Sequence, residues 1–64
     1  MYEHGLVEVC GVRYEWFINL ADEVEIRQNG KVKWVGIFDG SCLNDFKGKI
    51  PPEVGDAVER DLNL

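Results

Sequence analysis

The alternation on either side of Cys10-Gly11 constrains this chain more than any other feature. Leu6-Val7-Glu8-Val9 and Val12-Arg13-Tyr14-Glu15-Trp16 have apolar and polar residues in period two, which is the pattern of a half-buried strand. Two residues separate the runs, and Gly11 supplies the positive φ that a tight hairpin turn requires. Pairing Val9 with Val12 sets Val7 opposite Tyr14 and puts Val7, Val9, Val12, Tyr14, Trp16 and Ile18 on one face. The same register sets Glu8 opposite Arg13 on the other face, a favourable cross-strand pair. Both faces agree on one pairing, so the first half of the chain is committed to β structure.

A second hairpin follows the polar stretch Asn19 to Glu23. Val24-Glu25-Ile26-Arg27 and Val32 to Phe38 flank Asn29-Gly30, and two registers compete. A two-residue turn opposes Ile26 to Lys33 and Glu25 to Trp34, mixing core with surface. A three-residue loop, Gln28-Asn29-Gly30 with Gly30 at a bulge, opposes Ile26 to Val32, Val24 to Trp34 and Glu25 to Lys33. A one-residue slip turns every side chain to the other face, so the burial pattern decides for the bulged loop. Val32, Trp34 and Phe38 then point inward, while Val35 and Ile37 point away with Phe17. Asp39-Gly40-Ser41 ends the strand as a turn cluster. Residues 42–50 read as irregular, with Leu43 and Phe46 anchored in the core.

Pro51-Pro52 opens a helix, since proline suits the first helical position and Glu53 favours the positive end of the dipole. Val54, Ala57, Val58 and Leu62 form one stripe, with Glu53, Asp56 and Glu59 on the opposite side. The expected fold is a single α+β domain over residues 1–64. It is an antiparallel four-stranded β-meander of two hairpins, with one C-terminal helix packed on the sheet.

Size and composition argue against catalysis. A chain of 64 residues buries only about 60% of the surface it exposes when unfolded, which leaves little for a deep cleft with strained, pKa-shifted groups. His4 is the sole histidine and Ser41 the sole serine, with threonine absent. Asp39-Gly40-Ser41-Cys42 lacks the nucleophile elbow of Gly-x-Ser-x-Gly hydrolases. His4, Cys10 and Cys42 include no close pair such as Cys-x-x-Cys, so no metal site is expected. The glycines fit no phosphate-binding loop, and no cofactor is expected. The longest apolar run, Trp16-Phe17-Ile18, is far too short to span a membrane, and Met1 to Gly5 carry no export signal. The expected setting is therefore the cytoplasm, with Cys10 and Cys42 reduced.

Binding surfaces remain to be weighed. The net charge of −5 is unevenly spread. Residues 1–26 hold six acids against Arg13. Residues 27–49 hold Arg27, Lys31, Lys33, Lys47 and Lys49 against Asp39 and Asp45, and the last fifteen residues are acidic again. Glu53, Asp56 and Glu59, with Glu23 and Glu25 nearby, form a negative surface suited to a basic protein groove, including one that normally holds nucleic acid. Phe17, Val35 and Ile37 are a second candidate, because one helix covers only one face of a sheet. Residues 42–50 wrapping over them as a second small core, or a homodimer through them, are both open readings. The basic middle segment beside Trp34 is a poor footprint for nucleic acid in an acidic chain whose tryptophan is assigned to the core.

In size, acidity and sheet-plus-helix plan the whole chain resembles the anti-CRISPR proteins of phages and mobile elements. The resemblance is one of type, for these proteins share no common motif. It implies a stand-alone inhibitor that blocks a host nucleic-acid-processing complex, and its basic middle segment departs from a pure nucleic-acid mimic. A self-associating structural domain is the alternative.

Overall fold

The computed structural model describes residues 3–64. Five strands run in sequence order as one antiparallel sheet: β1 (Glu3–Val9), β2 (Val12–Ile18), β3 (Glu23–Gln28), β4 (Lys31–Phe38) and β5 (Leu43–Lys47). The helix α1 (Pro52–Leu62) follows. It packs on one face and touches both edge strands, β1 and β5.

The first hairpin has the expected register, with Val9 opposite Val12, Val7 opposite Tyr14 and Glu8 opposite Arg13. Its turn uses positive φ at both central residues, Cys10 at 53° and Gly11 at 79°. Such a turn twists with the strands it joins. Asn19 organises the next connection, its side-chain oxygen accepting the Ala21 and Glu23 N–H groups while its amide donates to the Glu23 carboxylate.

The second hairpin corrects the expected register. Asn29 and Gly30 both have positive φ and form a two-residue turn, so Gln28 pairs with Lys31 and Arg27 with Val32. The bulge lies one step further along, where Lys33 is the extra residue, and Ile26 therefore meets Trp34 and Val24 meets Gly36. A bulge was needed to bring Ile26 and Trp34 into phase; the ladder provides it instead of the loop. The consequence falls on Val32, which pairs with Arg27 away from the helix and is 48% exposed. It is not an inward residue. Trp34 and Phe38 do pack against the core, as expected.

The sheet has five strands and not four. Leu43–Lys47 pairs with β4, setting Phe38 opposite Leu43, Ile37 opposite Asn44 and Val35 opposite Lys47. Leu-Asn-Asp-Phe-Lys has few strand-forming residues and no clean alternation, so local propensity does not announce it. The strand forms because the outer edge of β4 requires hydrogen-bond partners and these residues are the next to reach it. Leu43 packs against the core as expected, whereas Phe46 is 56% exposed and anchors nothing there.

The buried core is Trp16, Ile18, Val24, Ile26, Ile50, Val54 and Val58, all between sheet and helix. Ile50 stands just before Pro51 and packs beside Gly55, as an apolar residue preceding a helix does when it staples the first turn. Gly36 is buried because a Cβ there would lie 2.8 Å from the Asn44 carbonyl oxygen and 2.9 Å from side-chain carbons of Ile50 and Leu43. A bare backbone lets β5 and the Ile50 turn close over the centre of the sheet.

Candidate functional site: the open face of the sheet

The side chains that alternate away from the core form the second face of the sheet, and among the described residues nothing is packed over it. The strand registers define its rows. One row runs His4, Phe17, Glu25, Val35, Lys47 from β1 to β5, and another runs Leu6, Glu15, Arg27, Val32 from β1 to β4. Glu23 and Ile37 pair beyond the first row. Phe17, Val35 and Ile37 thus share this face and are half-buried by their neighbours. Residues 42–50 do not wrap over them, because their strand extends the sheet sideways and Ile50 turns to the helix side.

Phe17 is the centre of a side-chain cluster on this face. Its ring stacks on the His4 ring at 5.8 Å between centroids and 24° between planes. The Arg27 guanidinium carbon lies 4.5 Å from its centroid, a cation–π contact. Arg27 donates twice to one Glu25 oxygen, at 2.6 and 3.1 Å. The pair is partly open to water, so it contributes little stability; it holds the long arginine flat across the ring. A shallow concavity of about 310 Å³ adjoins the cluster, lined by Phe17, Ile18, Asn19, Glu23, Glu25 and Arg27.

Two further hydrophobic residues stand on the face at the ends of one row, Leu6 at 57% exposure on β1 and Val32 on β4. Sequence reasoning assigned Val32 and Phe46 inward. For Val32 the missed signal was the Asn-Gly dipeptide, whose preferred two-residue turn forces the bulge up the ladder. Phe46 offered no such signal. Charge on the face is unevenly spread. Glu8, Glu15, Glu23 and Glu25 outnumber Arg13 and Arg27 on β1–β3, whereas Lys47 stands opposite Val35 on β5.

The helix acids are placed differently. Glu53 and Asp56 are exposed on the outer side of α1, remote from the open face. Glu59 is half-buried, and its carboxylate accepts the Leu43 N–H at 2.7 Å. Glu59 therefore caps an edge of β5 and is tied into the fold. The acids expected to act together are split between two surfaces, with Glu23 and Glu25 on the sheet.

His4 lies in a strand and stacks on Phe17. Ser41 belongs to a turn in which Asp39 accepts the Ser41 and Cys42 N–H groups, and those bonds hold the Asp39 carboxyl below the ordinary aspartate range. Cys10 and Cys42 are both exposed and unpaired. Among the described residues no three histidine, cysteine or carboxylate side chains gather as metal ligands, and no helix is long and apolar enough to cross a membrane. Comparison of the chain with protein-family models, curated proteins and solved structures finds no match.

Proposed function

We propose that this chain is a non-catalytic protein-binding domain whose interface is the open face of its sheet. The observation that carries this reading is the position of Phe17, Val35 and Ile37. They lie on the face opposite the helix, which also carries Leu6 and Val32, each about half exposed. A domain of this size gains by covering apolar surface, and a partner is the remaining means of covering this one. Glutamates, Arg27 and Lys47 around the apolar set give the mixed rim of a specific interface.

The test is a capture experiment with tagged protein from bacterial extract. Val35→Thr/Ile37→Thr keeps β-branching and strand shape while replacing methyl groups with hydroxyls. Captured partners should fall at least tenfold in yield with this variant. Unchanged capture by a folded variant refutes the reading.

A narrower form keeps the resemblance to anti-CRISPR inhibitors acting on a host nucleic-acid-processing complex. It is favoured by the solvent-facing Glu53 and Asp56, which offer negative charge on the side of the molecule away from the sheet. Glu53→Lys/Asp56→Lys would abolish binding to such a complex while leaving the sheet interface untouched. Binding that survives this reversal removes the inhibitor version.

A further inference from the structure

We propose that the outer edge of β1 is a second interface, apart from the open face. Its occupant is β1 of another copy of this chain, paired antiparallel about a twofold axis at Leu6. β1 and β5 are the edges of the sheet, and an edge presents unpaired N–H and C=O groups that invite another strand. The two edges are built differently. β5 has five residues, its pairing with β4 is irregular, it carries Lys47, and Glu59 accepts its Leu43 N–H. β1 has seven residues in unbroken register with β2, with no proline and no lysine among them. Among the described residues no backbone group of a loop, turn or helix bonds to it. The devices that blunt one edge are missing from the other.

The register with β2 identifies the outward groups. In a two-residue hairpin the residues flanking the turn, here Val9 and Val12, exchange hydrogen bonds, and every second residue along the strand repeats that arrangement. Gly5, Val7 and Val9 therefore bond to β2, while the N–H and C=O groups of His4, Leu6 and Glu8 point away from it. The side chains of the same three residues lie on the open face, and all are exposed.

A second β1 satisfies these groups only where outward residues meet outward residues. With the axis at His4 or at Glu8, imidazole meets imidazole or carboxylate meets carboxylate. With the axis at Gly5 or Val7, Leu6 meets His4 or Glu8, and the overlap is shorter. With the axis at Leu6 the strands overlap over their whole length. Leu6 meets Leu6, and His4 of each copy meets Glu8 of the other. The imidazole can donate to the carboxylate across this junction, so Glu8 stands between Arg13 of its own hairpin and His4 of the second copy. Each outward residue donates once and accepts once, at the axis and at both His4–Glu8 pairs. On the helix side Gly5 meets Val7, and Glu3 meets Val9 at the ends of the ladder.

The interface is isologous, as a twofold dimer requires. It is also small, since seven residues at about 3.3 Å each make an edge about 23 Å long. The product is therefore a reversible dimer at the weak end of specific complexes, with a dissociation constant on the order of 100 µM. It joins two five-stranded sheets into one, with both helices on one side and both open faces on the other.

The experiment is sedimentation equilibrium from about 10 µM to about 1 mM, with amide hydrogen exchange by NMR at both ends of that range. Wild type should dimerise, and the His4, Leu6 and Glu8 amides should exchange at least about twofold more slowly at the higher concentration. Leu6→Pro removes the outward N–H at the axis without taking a bond from β2, and Leu6→Lys sets like charges there. Each should weaken the dimer at least tenfold with the fold intact by NMR. His4→Glu and Glu8→Lys should each weaken it at least threefold, yet their equimolar mixture should be tighter than either alone, because the mixed dimer has opposite charges at both junctions. Val35→Thr/Ile37→Thr, on the open face, should leave the dimer as tight as wild type. Wild type that stays monomeric at about 1 mM overturns the proposal, as does a dimer that survives in folded Leu6→Pro and Leu6→Lys, or a mixture no tighter than its components. A dimer lost in the threonine variant also overturns it and assigns self-association to the open face.

Discussion

Replacing Asp61 tests how the helix is fastened to the sheet. The Trp16 indole N–H donates to Asp61 Oδ2 at 2.7 Å, and Trp16 is only 4% exposed. Gly5 lies against this contact, so close that a Cβ would fall 2.6 Å from the carboxylate oxygen and 2.8 Å from the indole nitrogen. A hydrogen bond to a charged group is worth about 1.5–3 kcal/mol, and a buried donor left without a partner loses a similar amount. Opposing this, Asp61 sits in the last turn of α1, where the dipole disfavours an anion by about 0.3–1 kcal/mol. The bond outweighs the dipole, so Asp61→Ala should destabilise the domain by about 1–2 kcal/mol in urea unfolding. For a domain this small that lowers Tm by roughly 4–8 °C per kcal/mol. Asp61→Asn keeps an acceptor and removes the dipole penalty, and should lose less than half as much. In a double-mutant cycle, Trp16→Phe and Asp61→Ala should couple by at least about 1 kcal/mol. A cost for Asp61→Ala within about 0.3 kcal/mol of zero, or no coupling, would refute the reasoning.

Other sites give shorter tests. Gly36→Ala should cost about 1–3 kcal/mol in urea unfolding, because the new methyl meets the Asn44 carbonyl and two core side chains in a closed space. Glu59→Ala leaves the Leu43 N–H at the edge of β5 without its carboxylate; hydrogen exchange in Leu43–Lys47 should accelerate several-fold while β2 and β3 stay protected. Cys10→Asn should raise stability by about 0.5–1 kcal/mol, since asparagine tolerates the left-handed φ of 53° at that turn position better than cysteine does. For Asp39 the folded carboxyl titrates below its unfolded value through the Cys42 and Ser41 N–H bonds. Its contribution is full above the unfolded value and lost as pH falls through the lower folded one. The Asp39→Ala variant should therefore differ from wild type near neutrality and converge with it in acid, read by urea unfolding at each pH.

Where two independent faces of a strand imposed the same pairing, local reasoning carried through to the structure. Val7, Val9, Tyr14 and Trp16 alternate against Glu8, Arg13 and Glu15, and any other register would break both sets at once. The same alternation assigned Phe17, Val35 and Ile37 to the face opposite the core. Where a strand had one informative face, it was less secure. In the second hairpin the need for a bulge was legible, but its position was not, because loop and ladder bulges both restore the phase of Ile26 and Trp34. Val32 was misplaced for that reason alone.

The sequence by itself determined the two hairpins, the helix that Pro51-Pro52 and Glu53 begin, and the apolar stripe that seats Val54 and Val58. Each is a short-range matter of period, turn chemistry and caps, and the residues concerned lie close together in the chain. Only the tertiary structure decided that Leu43–Lys47 becomes a strand, that Glu59 turns inward to its edge, and that Asp61 reaches Trp16 across 45 residues. These depend on which backbone groups are left unsatisfied once the rest has folded, and no local pattern encodes that. The open face lies between the two cases: its residues follow from alternation, but its exposure follows from the single helix choosing the other side.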